Sequence, residues 1–260
     1  MRLVRFFTAF GLALVMCLSF AQEGFSNQMA ESTFSDAQKQ EIEQLVRTLL
    51  TEKDPGIVIE AARRIHQQDE EKARVKAETT LKKNLDKIIN TPFSPIGGNP
   101  KGDVTVMEFF DYNCPYCHKA QANLQALLQS DKNIRVVYKE FPIFGDSSLT
   151  ISKIALAAHK QGKYEAFHQA LMTASGGPLT EATVYRIAKA TGLDVEKLKK
   201  DKDDPKIMEA LQQNVSLARE LGASGTPAFI IGTQFFSGLV PVEVMKDAIA
   251  KERAQTQKSR

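Results

Sequence analysis

The chain has 260 residues, 43 % of them hydrophobic and 25 % charged, which is enough apolar material for one large domain or two small ones. Its formal charge of +3 gives no electrostatic case for nucleic acid or an anionic membrane. Three cysteines are too few for a small secreted scaffold built on disulfides.

Arg2 and Arg5 precede an apolar run over 6–18, and Ser19-Phe20-Ala21 offers a small-x-small cleavage site. This is the pattern of a secretory signal peptide over 1–21, too short and wrongly flanked for a membrane span. A lipoprotein anchor through Cys17 is the competing reading, although Met16 stands where such signals want a small residue. Loss of Arg2 and Arg5 with the leader leaves 32 of the 34 basic residues against 31 acidic ones. Cys114 and Cys117 are the cysteines that remain. No later stretch reaches the ~18 apolar residues a transmembrane helix needs, so a mature protein soluble beyond the cytoplasm is expected.

Residues 22–34 are polar and expected to be disordered. Ser35 and Gln38 then form a capping box, and Ile42, Leu45, Val46, Leu49 and Leu50 fall on one helical face. Asp54-Pro55 is a second start, for a helix expected to reach about Ile89, some 50 Å at the usual rise. Its middle, 66–80, is polar nearly all round and has the spacing for ion pairs Glu70–Arg74 and Glu78–Lys82. The apolar ends, 42–65 and 81–89, therefore need separate partners. One reading packs both on the main domain. The favoured one pairs 42–65 with a second copy, making 22–90 a dimerisation segment with a polar stalk.

Residues 91–103, rich in Pro and Gly, are read as a linker. The main domain is expected over 104–255. Two strands, 104–110 and 134–141, are near-continuously apolar or β-branched, as strands buried on both faces are, and a helix lies between them. Residues 146–222 are helical in pattern, with stops at Gly162, Gly192 and Gly222 and starts at Asp194 and Asp204-Pro205. Strands AFII and QFF follow, joined at Gly232-Thr233, and a last helix comes after Pro241.

Cys114-Pro115-Tyr116-Cys117-His118 fits three chemistries: a haem anchor, half of a zinc site, or a thiol–disulfide switch. A bridge across two residues closes too small a loop to stabilise a fold, so the pair is there for reactivity. Haem attachment would make His118 an axial ligand, but the motif follows an apolar strand and Pro115 adds nothing to haem binding. Zinc wants four ligands, and the chain offers two cysteines with scattered His66, His118, His159 and His168. His159 and His168 read as surface or partly buried helix residues. His118 reads as simply the next residue of the helix.

The order β-α-β, helical block, β-β-α, with CPYC at the first strand–helix junction and Thr226-Pro227 ahead of the third strand, resembles the α/β thioredoxin fold with a helical insertion. Together EFFDYNCPYC, the insertion and GTPAFIIG resemble the DsbA family of exported thiol–disulfide oxidoreductases over residues 93 to 255. The N-terminal helices and KEFPIFG at 139–145 are similar to the dimeric DsbA-like proteins that include the Com outer-membrane antigens. Pro115-Tyr116 in place of Pro-His, and Thr226 in place of Val, look more like the isomerases DsbC and DsbG. The resemblance implies a homodimer with isomerase as well as oxidase capacity, acting on unfolded or misfolded exported proteins. It also implies a membrane redox partner that resets the pair, no cofactor or metal, and a place in the periplasm with outer-membrane association as a further option. A non-catalytic surface antigen with an inert disulfide is the alternative.

At the site, Cys114 at a helix N-terminus is the expected nucleophile and Cys117, one turn deeper, the resolving thiol. The resemblance implies a cis Thr226-Pro227 peptide beside them, binding substrate with Pro115 and Tyr116. The resemblance makes Glu108 a proton relay to the buried cysteine; pairing with Lys139 is the plainer reading. Tyr112 and Phe110 either border a hydrophobic groove or lie in the core.

Overall fold

The computed structural model describes residues 34–54, 56–89, 93–174 and 179–258, apart from the side chains of Asp86 and Lys87. The leader and most of the polar segment after it lie outside these residues. The chain divides into two compact units, 1–63 and 64–260.

In the first unit, α1 (Asp36–Thr48) starts where the capping box placed it. Gln38 N–H donates to Ser35 Oγ at 3.3 Å and Ser35 N–H to Gln38 Oε1 at 2.9 Å, satisfying two donors that a helix start leaves free. A π-helical turn over Leu49–Lys53 leads to α2 (Gly56–Ile89), which continues into the second unit. No residue of α1 is buried, and Ile42, Leu45, Val46 and Leu49 are 42–60 % exposed.

Within the second unit the expected ion pairs change partners. Arg74 bridges Glu71 at 2.6 Å and Glu78 at 2.5 Å, and Glu70 takes His66 at 3.4 Å. The planar guanidinium holds a carboxylate on each side along one helix face, so Glu70 is left to its other neighbour. Further along α2, Ala77, Leu81 and Ile88 are buried. They pack with Met107, Phe109, Val137, Phe141 and Ile230. The last three turns are thus part of the core. Leu81→Ala is expected to cost about 2–5 kcal/mol in a denaturant titration.

The sheet runs in the order β1-β3-β2-β4-β5. Strands β2 (Val104–Phe110) and β3 (Ile134–Glu140) are parallel and buried nearly throughout, joined by α3 (Pro115–Ser130). Strand β1 (Ile96–Gly98) adds antiparallel to β3, inside the stretch read as linker. Three residues are too short a run to register as alternation. Among the described residues five helices follow: α4 (Asp146–His159), α5 (Tyr164–Met172), α6 (Glu181–Ala190), α7 (Val195–Asp201) and α8 (Pro205–Glu220). Asp194 and Asp204 cap α7 and α8 through their side chains, and Gly162, Gly192 and Gly222 each take positive φ just past a helix end. Strand β4 (Ala228–Ile231) pairs antiparallel with β2, and β5 (Gln234–Ser237) with β4. Gly232, at φ 58°, makes the hairpin turn, and a Cβ there would run into the Glu252 carboxyl of α9 (Val242–Lys258). On the sheet face opposite α2, Val106, Phe110, Tyr138 and Phe229 pack with Leu124 of α3, Met245 of α9 and the insertion helices.

Candidate active site

Cys114 is the N-cap of α3, in extended backbone, and Pro115 occupies the first helical position, where its missing N–H costs no hydrogen bond. Cys117 N–H donates to Cys114 O at 3.0 Å, closing the first turn. Both cysteines are reduced, Cys114 2 % exposed and Cys117 fully buried. The Thr226-Pro227 peptide, between α8 and β4, is cis, and Cys114 Sγ lies 3.2 Å from Thr226 O. Tyr116, between the cysteines, is 58 % exposed. The β2–β4 register thus brings residues 112 positions apart to one place.

The two thiols are pushed in opposite directions. A hydrogen bond from the Cys117 thiol is the largest cause holding Cys114 down, to about 5. Burial opposes it, while the Thr226 side chain and the backbone N–H groups of Cys117 and Tyr116 add to it. Burial drives Cys117 far above the thiol range, with the bond to Cys114 and the Glu108 charge adding. One sulfur is a ready thiolate at neutral pH; the other holds its proton.

Glu108 lies on β2 in register with Tyr138 and Phe229, fully buried. Lys139 aligns with Phe109 and so faces the other side of the sheet, where its Nζ donates to Ser94 Oγ at 2.6 Å. The Glu108–Lys139 pair therefore does not form. Neither Glu108 oxygen has a hydrogen-bond partner among the described residues. Burial, with the Cys114 and Glu140 charges, pushes its carboxyl up to about 8, so it is largely protonated at neutral pH.

Phe110 and Tyr112 are core residues, not the rim of a groove. Tyr112 belongs to a buried network whose centre is Glu140. Tyr112 and Tyr164 hydroxyls donate to Glu140 Oε1 at 3.1 and 2.7 Å, and Ser152 Oγ donates to Oε2 at 2.8 Å. Burial still dominates and lifts Glu140 to about 8. His168 is fully buried, not a surface residue. It stacks on Tyr164 at 5.6 Å between centroids, and its Nδ1 lies 3.1 Å from the Tyr112 hydroxyl. Burial, then the nearby His118, lowers it to about 3. Asp111 fixes the turn before Cys114, its carboxylate accepting from Ser148 Oγ and from the N–H groups of Asn113, Ile143 and Phe144. Only the Asp111–Asn113 bond, an Asx turn, has a local signature. His118 departs most from its sequence reading. Its Nδ1 lies 2.6 Å from Met172 O and its Nε2 2.8 Å from Tyr112 O. With both nitrogens on carbonyls, neither is turned toward an iron, which counts against the haem reading.

The sequence and fold agree with known proteins. A family profile described as a DSBA-like thioredoxin domain matches residues 105–250. A thioredoxin-like oxidoreductase from Silicibacter pomeroyi DSS-3 is 47 % identical, covering 65 % of this chain and 97 % of its own, with a TM-score of 0.63. A periplasmic thioredoxin-like protein from Salmonella enterica serovar Typhimurium is 30 % identical over 64 % of this chain and 92 % of its own, with a TM-score of 0.57. A Na(+)/H(+) antiporter NhaA 1 from Salinispora arenicola is 28 % identical over 163 residues, 62 % of this chain but 25 % of the antiporter. The chain thus spans about a quarter of the length of the first curated relatives it matches. With the family profile covering more than half of its residues, on a thioredoxin sheet carrying CPYC and a cis Thr226-Pro227, the chain belongs to the DsbA-like thioredoxin-domain family.

Proposed function

We propose that the chain is a thiol–disulfide oxidoreductase of exported proteins, working through Cys114 and Cys117. The observation that carries this is their asymmetry: a thiol held down to about 5 at a helix N-cap beside a strongly raised, buried one. In the oxidising direction, a client thiolate attacks Sγ of Cys114, the Cys114–Cys117 bond breaks, and Cys117 leaves with the electron pair. The Glu108 carboxyl, buried and protonated, gives its proton to that sulfur. A second client thiolate then attacks the client sulfur of the mixed disulfide and Cys114 departs as thiolate. The client loses two electrons and the protein gains them. A membrane redox partner resets the pair by the reverse sequence, and no metal or cofactor is needed.

Client binding uses the Thr226 carbonyl, Pro227, Pro115 and the exposed ring of Tyr116. Main-chain pairing suits many unfolded sequences. Export to the periplasm is supported by the leader over 1–21 and by the Salmonella relative described as periplasmic. No helix among the described residues is long and apolar enough to cross a membrane.

The uncovered face of α1 supports a homodimer through 35–65, with isomerase as well as oxidase capacity. Leu45→Glu is expected to halve the mass in solution and to lower refolding of a scrambled-disulfide substrate, leaving dithiol oxidation intact. An unchanged mass contradicts the dimer. A truncation testing the same point should stop at residue 63, because Ala77, Leu81 and Ile88 belong to the core. The inert-antigen alternative predicts that mildly reduced Cys114 ignores iodoacetamide; rapid alkylation at neutral pH is expected instead.

A further inference from the structure

We propose that His118 is a positioning residue of the redox pair, held as a doubly protonated imidazolium that ties the turn before Cys114 to the end of α5. This rests on the redox reading above. A neutral imidazole has one N–H and one lone pair; only the charged ring donates from both nitrogens. Here each nitrogen meets a backbone carbonyl, Met172 O at 2.6 Å and Tyr112 O at 2.8 Å. Carbonyls accept and never donate, so a neutral ring would set a lone pair against an oxygen.

The surroundings favour the charge. Met172 is the last residue of α5, where carbonyls lack helical partners and the dipole is negative. On its own helix, however, His118 sits in the first turn of α3, where a cation is disfavoured. A thiolate at Cys114, at the tip of that same turn, removes the penalty. The backbone N–H of His118 donates to Cys114 O at 3.3 Å, so residue 118 and the nucleophile share one turn. The ionisable groups around the ring are Cys114 and Cys117 on α3, Tyr112 before it and His168 on α5. The Tyr112 hydroxyl is committed to Glu140, and His168 is buried and neutral. Tyr116 and Lys119, the other ionisable residues of that turn, contact each other, with Lys119 Nζ 5.4 Å from the Tyr116 ring centre. Imidazolium and thiolate thus stabilise one another, and Tyr112 is fixed at both ends, its carbonyl by His118 and its hydroxyl by Glu140.

Nitrogen-15 NMR of the reduced full-length chain at pH 7 tests the charge. Both His118 nitrogens are expected to carry protons, while His168 keeps one bare; a bare nitrogen on His118 overturns the proposal. The role is tested in His118→Leu and in His118→Gln, which keeps amide donors and preserves folding. In His118→Leu the equilibrium with glutathione is expected to move about tenfold toward the disulfide, about 30 mV for a two-electron couple. His118→Gln should recover part of this. A lowered Tm with an unchanged glutathione equilibrium, in either variant, reduces His118 to a structural residue and overturns the positioning role. A wild-type chain that does not exchange with glutathione sinks the redox reading and the positioning role together, while the NMR result still decides the charge.

Discussion

Cys114→Ala is expected to abolish disulfide exchange, whereas Cys117→Ala should accumulate mixed disulfides with clients, because Cys117 is no longer there to attack Cys114 and release them. The difference follows from the fates of the two sulfurs. Cys114, held down to about 5, is about 99 % thiolate at pH 7, against about 3 % for an ordinary cysteine. That is about a thirtyfold gain in nucleophile, and a thiol of this kind is also a good leaving group. Cys117 is buried with its thiol strongly raised, so it carries almost no thiolate at neutral pH and is not the sulfur that attacks clients. In the proposed cycle it is the sulfur that attacks Cys114 of a mixed disulfide. Alkylation of Cys114 should be flat above about pH 6 and fall tenfold per unit below 5. Mass spectrometry of client adducts checks both variants; equal adduct yields from the two would contradict the assigned roles.

Glu108→Gln is the second large effect, and it cuts two ways. Burial without a partner raises the folded carboxyl from an ordinary 4.5 to about 8. Between those values the folded chain binds a proton that the unfolded chain has lost. The carboxyl's contribution to stability is therefore undiminished below about pH 4.5 and declines as pH rises toward 8. Glutamine carries no charge at any of these values. The variant should match the parent at pH 4 and be more stable by a few kcal/mol at pH 8, read from denaturant midpoints of the reduced protein. Its release of Cys117 from the disulfide should slow about a hundredfold, the usual size of one lost general acid. Faster release with unchanged stability would remove Glu108 from the relay.

Much of this was legible along the chain because it is encoded locally. Ser35 with Gln38, and Asp194 and Asp204 ahead of their helices, announce starts through side chains that satisfy nearby N–H groups. The continuous apolar runs of β2 and β3 announce burial on both faces. The spacing of Cys114 and Cys117 announces reactivity. What stayed hidden depends on distance. Glu140 meets Tyr112 and Tyr164 from 28 and 24 positions away, and His168 reaches Tyr112 across 56. Periodicity marks such residues as buried or exposed without naming partners. His118 could not be read because the insertion supplies Met172, its second acceptor, 54 positions on. Lys139 stood as a partner for Glu108 until the β2–β3 register put the two on opposite faces. Thr226-Pro227 was legible only through family resemblance, since the dipeptide itself is ordinary.

Cys114 ionises far below an ordinary thiol. Thiolate absorbance of the reduced chain, followed from pH 3 to 10 with the Cys114→Ala variant as baseline, measures it directly. A single step with a midpoint near 5 is expected. A step near 8.5, where an unperturbed cysteine titrates, would contradict the account.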